Sequence, residues 1–145
     1  MRLSRKARFG ITAMIRLGLR EGRGTKTLSD LSMDQGISLS YLEQLFAQLR
    51  RSGLVVGVRG PGGGYRLARP ADEIPLSEII TAVDDQAYRQ DAVNGDKPTD
   101  LMWREVSRQL YGFLGELTLG DVLRGCPADA TNDEHYHRYL NEKVA

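Results

Sequence analysis

Cysteine is almost absent from this sequence: the 145 residues include one, Cys126. No internal disulfide can form, and neither a CxxC pair nor a multi-cysteine zinc site can be assembled. A reducing, cytoplasmic setting is therefore expected. Histidine is nearly as scarce, with only His135 and His137. Without a second thiol or a paired acid–base constellation, the chain is not expected to be an enzyme. Long apolar runs are also missing. The basic start Met1-Arg2-Leu3-Ser4-Arg5-Lys6 leads into apolar positions interrupted by Arg8, Arg16 and Arg20, so neither a signal-peptide core nor a membrane span is expected.

What is present suits a modest packed core in a soluble chain: 41% hydrophobic and 27% charged residues. The net charge of +1 conceals an asymmetry. Residues 1–75 hold thirteen Lys/Arg against six Asp/Glu, and the remaining seventy hold seven against thirteen. A basic half joined to an acidic half fits a polyanion-binding unit with a non-binding partner region, although solvated charge distributed by chance gives the same count.

Apolar spacing predicts the elements. From Ser4 to about Arg20, Ile11, Met14, Ile15, Gly18 and Leu19 fall at helical spacing, with Arg8, Thr12, Arg16 and Arg20 on a polar stripe; Gly22 and Gly24 end the segment. Thr27 with Asp30 forms a variant capping box opening a short helix through Leu28, Leu31 and Met33, stopped by Gly36. Ser40 with Glu43 gives a second capping box before Leu42, Leu45, Phe46 and Leu49, and Gly53 closes that element. Two short helices across a glycine-containing turn are a helix-turn-helix pattern, a pairing that many helical domains also use for packing alone.

The next stretch makes the pattern specific. Residues 54–58 are strand-like, 59–64 form a turn, and 65–67 read as a returning strand. Helix, helix, hairpin is a winged helix. At the hairpin tip Gly60, Gly62, Gly63 and Gly64 let backbone approach another surface, Pro61 stiffens the bend and Arg59 supplies charge. Such a finger suits a narrow A·T-rich minor groove; an exposed turn with glycines for its own geometry is the plainer alternative. A Walker loop needs Lys followed by Ser or Thr after the last glycine, and Tyr65 and Arg66 stand there instead.

Beyond the hairpin, Pro70, Asp72 and Pro75 punctuate a junction, and residues 76–83 read as a short helix burying Ile79, Ile80 and Val83. Residues 84–98 are polar and expected to form a loop. A long helix begins near Thr99, with Trp103, Val106, Leu110, Phe113 and Leu117 at heptad spacing. That seam requires a facing helix, either the chain's own first helix or a second copy; a homodimer is the preferred reading. Thr118 and Asp121 start one further helical turn or two, and residues 126–145 are expected to be a flexible tail. The expected fold is mainly α with a small β-hairpin: a winged helix-turn-helix DNA-binding domain over 1–75, then dimerisation helices over 76–125.

The segments Met1-Arg-Leu-Ser, Gly36-Ile-Ser-Leu-Ser-Tyr-Leu-Glu-Gln-Leu-Phe46, Gly53-Leu-Val, Val58-Arg-Gly-Pro-Gly-Gly-Gly-Tyr65 and Ala82-Val-Asp84 resemble the IscR-type iron–sulfur cluster regulators of the Rrf-two family of bacterial transcription factors. The match is dense from Met1 to Val83 and looser from Trp103 to Leu123. The resemblance implies a homodimer with two winged-helix heads on an imperfectly palindromic double-stranded operator, and a role in iron–sulfur, iron or redox homeostasis. Repression by steric occlusion is the default expectation. Members of this type hold a [2Fe–2S] cluster through three cysteines and a histidine before the long helix. Here Lys97 stands where the last cysteine is expected and Asp100 where the histidine is expected. Thiolates are the soft donors such clusters need, so a cluster is possible only with non-standard ligands. Cys126, His135 and His137 are weak candidates for these, an inert tail thiol being the plainer reading; a regulator with such ligation, or a winged-helix module for a protein partner, are the alternatives.

The resemblance makes residues 40–51 the recognition helix. Ser40, Glu43 and Gln44 have the chemistry to meet base edges: glutamate accepts from cytosine, glutamine pairs with adenine and serine reads either. Glu43 then filters operators, unless its work is the capping box with Ser40. Tyr41, Arg50 and Arg51, with Arg2, Arg5, Lys6 and Arg8, are expected on phosphates, with some of them only solvated surface. Arg59, Gly60, Pro61 and Gly62 form the wing tip.

Overall fold

The computed structural model describes residues 3–84 and 96–125. Helix α1 (Arg5–Gly18), α2 (Leu28–Gln35) and α3 (Leu39–Arg51) are followed by the antiparallel strands β1 (Val55–Val58) and β2 (Gly64–Leu67). A 3₁₀ turn (Ala71–Glu73) leads to α4 (Leu76–Val83), and α5 (Pro98–Glu116) and α6 (Leu119–Arg124) complete the order. The mainly helical fold with one hairpin is as expected. Among the described residues no helix is long and apolar enough to cross a membrane. The loop assigned to 84–98 falls largely, and the tail from Cys126 wholly, outside the described residues, as does Arg2.

Helices α1, α2, α3 and α6 each start where a side chain accepts an otherwise unpaired backbone N–H, whereas α4 and α5 follow Pro75 and Lys97 without a side-chain cap. Ser4 accepts from Ala7 N at 3.1 Å, and Thr27 and Thr118 form complete capping boxes with Asp30 and Asp121. The hydrogen bonds from Thr27, side chain first and backbone second, hold the Asp30 carboxyl below the usual carboxylate range. Helix α3 corrects the sequence reading. Its N-cap is Ser38, whose hydroxyl accepts from Tyr41 N at 3.3 Å; Ser40 lies inside the first turn and makes no box with Glu43. The shift follows from the core. With Ser38 as cap, Ile37 and Leu42 fall at the two positions of a hydrophobic staple, and both belong to the buried cluster.

Met14, Leu31, Leu42, Leu45, Phe46, Leu49, Leu54, Ile74, Ile79 and Leu119 form the centre of one core, so α4 and α6 pack with the first three helices around it. Ile79, Ile80 and Val83 are buried as expected, whereas Met33 is exposed on the outer side of α2. The polar stripe assigned to α1 is also broken. Arg16 is buried, with Nη1 3.7 Å from a carboxylate oxygen of Asp34 on α2, and the same oxygen binds Lys26 Nζ. A charge on the inner side of α1 is tolerated because this carboxylate meets it there.

The wing is held from outside the hairpin. Lys26 pairs with Tyr65 as a third antiparallel segment, with Lys26 N donating to Tyr65 O at 3.2 Å and Tyr65 N to Lys26 O at 2.9 Å. The Thr25 hydroxyl donates to Gly62 O near the tip. The Tyr65 ring stacks on Phe46 of α3, centroids 4.8 Å apart, which ties hairpin and recognition helix together.

The C-terminal elements are stitched to the end of the wing module. Leu76 N donates to Leu117 O at 2.9 Å and Leu119 N to Ile74 O at 2.8 Å, across a Pro75–Thr118 bridge. Helix α5 rests on its own chain through Ser107, Leu110, Tyr111, Leu114 and Leu117, which are buried or half-buried. Met102, Trp103, Val106 and Phe113 are roughly half exposed, at 51%, 50%, 46% and 57%. The heptad seam thus divides. Leu117 packs against the chain's own core and Leu110 is half-buried, whereas Val106 and Phe113, with Met102 and Trp103 beside them, form an outward apolar stripe.

Candidate nucleic-acid interface

Helix α3 buries Leu42, Leu45, Phe46 and Leu49, which fixes what its opposite side presents. Ser40, Gln44, Ala47 and Arg51 recur one or two turns apart along the line opposite the core. Leu39, Glu43 and Arg50 run along one flank of that line, and Tyr41 and Gln48 along the other. Ser40, Glu43, Gln44, Arg50 and Arg51 are exposed; Tyr41 is half-buried because its ring meets Phe9 of α1 edge-on, centroids 5.8 Å apart. Of the residues expected on this helix, Ser40, Glu43, Gln44, Arg50 and Arg51 therefore face away from the core, whereas Tyr41 packs against its edge. Glu43, the fifth residue of α3, makes no capping bond with Ser40.

Lys6 of α1 approaches α3 from the Tyr41 side. With Tyr41, Gln44, Gln48 and Arg51 it lines a concavity of about 320 Å³ between the two helices. Every polar side chain of that lining can donate a hydrogen bond and none is a carboxylate. Gln48 and Ala47 were not singled out from the sequence. The sequence carries a signal for Gln48, which lies one turn beyond Gln44.

Arg59, Gly60, Pro61 and Gly62 are all exposed at the wing tip, where Gly63 N closes the turn on Gly60 O at 2.8 Å. Gly63 and Gly64 are both positions where an added Cβ would meet backbone, Gly63 at 2.5 Å from Val58 O, and only Gly64 of the two has a positive φ. At φ +146° an added Cβ would lie 2.5 Å from Lys26 O and 2.7 Å from Lys26 C, both backbone atoms.

Ion pairs are unevenly placed. Arg20, Arg23, Arg66 and Lys97 are exposed without an ion-pair partner among the described residues, but other cations are matched: Arg69 with Glu78 at 2.6 Å, Arg108 with Glu105 at 2.6 Å, and Arg124 with Asp72 and Asp121, each at 2.5 Å. The Arg108 side chain, followed by Gln109, holds the exposed Glu105 carboxyl at about 2. By contrast Arg5, Lys6, Arg8, Arg50, Arg51 and Arg59 are exposed and have no ion-pair partner among the described residues. Six cations held apart from carboxylates, together with a polar helix face and a thin basic turn, can neutralise and orient a polyanion.

The positions that bear on a cluster give a different result. Lys97 is exposed as the N-cap of α5, and Asp100 lies in its first turn. An ammonium and a carboxylate cannot stand in for thiolates. No group of three His, Cys, Asp or Glu side chains among the described residues is placed to hold a metal ion. With Cys126 the sole cysteine, one chain cannot supply three thiolates, so these residues do not fit a three-cysteine cluster.

Comparison with known proteins agrees with the geometry. A family model described as "Rrf2: Iron-dependent Transcriptional regulator" matches residues 3–125. The HTH-type transcriptional regulator IscR of Klebsiella pneumoniae (strain 342) is 43% identical over 145 residues, covering 94% of this chain and 89% of that protein. The protein of the same name from Escherichia coli (strain K12 / DH10B) is 43% identical, covering 94% and 90%. Among solved structures, CymR, the global cysteine regulator of B. subtilis, superposes with a TM-score of 0.78 at 30% identity, covering 88% of this chain and 99% of that one. T. potens IscR gives 0.74 at 35%, covering 86% and 88%. A family match spanning all the described elements, on a winged helix with exposed cations on α1, α3 and the wing, leads to one assignment: the chain belongs to the Rrf2 family of iron-dependent transcriptional regulators.

Proposed function

We propose that this regulator binds a palindromic operator as a homodimer and represses transcription by occluding it, without the three-cysteine cluster of IscR-type proteins. The observation that carries the DNA reading is that Arg5, Lys6, Arg8, Arg50, Arg51 and Arg59, exposed and without an ion-pair partner among the described residues, gather on α1, α3 and the wing. Helix α3 enters the major groove with Ser40, Glu43 and Gln44 toward base edges. Arg5, Lys6, Arg8, Tyr41, Arg50 and Arg51 meet phosphates, joined by Arg2, which lies outside the described residues. The N-terminal end of α3 adds the positive end of a helix dipole and has no acidic residue in its first turn to oppose it. Residues 1–75 make the DNA-binding head and residues 76–125 the dimerisation helices, the apolar stripe of Val106 and Phe113 with Met102 and Trp103 covering its counterpart on a second copy.

At the wing, Arg59 lies in the flanking minor groove. Arg59→Ala is expected to weaken specific binding about tenfold and to relax preference for A·T pairs at the flanks, as losing one close guanidinium contact does. Affinity and selected-site profiles measured side by side test this; an unchanged flank profile removes the wing from the interface. Binding as a whole falls steeply with salt, because each neutralised phosphate releases counterions.

Neither Lys97 nor Asp100 can supply the soft donors of an iron–sulfur cluster, so the protein is expected to purify colourless under anaerobic conditions. Iron and acid-labile sulfide then fall well below one per subunit. Near-stoichiometric amounts would instead point to ligation through Cys126, His135 and His137.

A further inference from the structure

Leu39 is the first residue of α3 and is 42% exposed. A lone exposed leucine on a protein surface carries no meaning; its place in this helix does. Neither the cap nor the staple of α3 uses it. Ser38 already caps α3, and the staple that fixes the approach of the chain is made by Ile37 and Leu42, 9% and 0% exposed. Side chains on a helix tilt toward its N-terminus, so the Leu39 isobutyl group extends from the leading end of α3. In helix-turn-helix docking that end approaches the base edges.

The remaining residues that can reach bases there, Ser40, Glu43 and Gln44, are polar, and Glu43 follows Leu39 one turn behind on the same flank. Base edges in the major groove present hydrogen-bonding groups and one apolar one, the C5-methyl of thymine. We infer that Leu39 is a specificity-determining residue whose side chain packs against the C5-methyl of one thymine per half-site, adjoining the base met by Glu43. The inference rests on the DNA-binding reading above and adds a base identity to it. Nothing in the hydrogen-bonding residues alone supplies that identity, because a carboxylate and an amide do not sense a methyl group.

The test replaces each thymine of a selected operator in turn by uracil, which removes the methyl and leaves every hydrogen-bonding group in place. With the full-length protein, uracil at one position per half-site is expected to lower affinity about fourfold, the effect of losing one buried methyl. Replacing both half-sites lowers it about sixteenfold if the two act independently. In Leu39→Ala the same operators bind equally with thymine or uracil, and Leu39→Met keeps the discrimination. Thermal melting is expected to be unchanged in Leu39→Ala, since alanine favours helix and the leucine leaves no cavity. Specific binding with a flat uracil scan, or a uracil penalty that persists in Leu39→Ala, overturns the thymine contact and leaves the regulator reading standing. Failure of the wild-type protein to bind any selected duplex overturns both.

Discussion

Placing aspartate at Val106 and Phe113 together is expected to produce a monomer by sedimentation and to lower operator affinity by about a hundredfold or more. Both side chains are about half exposed, at 46% and 57%, so the double variant removes little from the chain's own core and its circular dichroism is expected to match the wild type. The large effect arises from linkage. Two heads held together convert the second contact with DNA into an intramolecular event, and separating them forfeits an effective concentration worth about 10²–10⁴ in affinity. Introducing carboxylates into a facing apolar stripe also places like charges opposite one another across the two-fold axis. A double variant that remains dimeric, or that binds the operator as tightly as before, removes α5 from the interface.

The second large effect is expected at Gly64. Gly64→Ala would bring a Cβ within 2.5 Å of Lys26 O and 3.0 Å of Thr27 N, all of it backbone that cannot rotate away. The same backbone carries the two hydrogen bonds that dock the wing on residue 26. Either the whole segment shifts or the wing detaches. A cost of about 3 kcal/mol follows from strain plus the lost pairing, which for a domain of this size lowers the melting temperature by roughly 10 °C. Gly62→Ala is the control. It has a left-handed φ of +73° but nothing within 4 Å, so it is expected to cost about 1 kcal/mol. Equal effects in the two variants would mean that backbone conformation alone, not the contact with Lys26, sets the requirement at Gly64.

Much of the head was legible because its signals are local. The Thr27–Asp30 box, the glycine after α2, the strand-like run before Arg59 and the Thr118–Asp121 box each act over three or four residues, and each appears where the sequence placed it. The errors occurred where distant residues decide. Arg16 has the spacing of a solvent-facing residue, and a carboxylate eighteen positions later, that of Asp34, helps make an inward charge tolerable. Ser40 has the better-looking capping pattern because Glu43 follows it. Ser38 prevails because capping there places Ile37 and Leu42 together in the core, a condition set by tertiary packing. Met33 misled because α2 has only eight residues, too few for periodicity to separate an inward methionine from an outward one. In the interface, the expected positions of α3 are exposed except Tyr41, which packs half-buried against the core edge, but the concavity shared by Lys6 and Gln48 depends on how α1 crosses α3. Spacing along one helix carries no information about that crossing.

The stitching of Leu117 and Leu119 to Ile74 and Leu76 means that the long helix has no free pivot at its base. In a two-chain assembly the reading heads then behave like the jaws of calipers whose arms are the long helices. A few degrees of change in how those arms cross, magnified along their length, shifts the jaws by ångströms against a groove that returns about every 34 Å. Operators with a base pair inserted between their half-sites would be out of phase, and a signal need not reach the recognition helix to silence it. Altering the angle at which the two arms meet is enough.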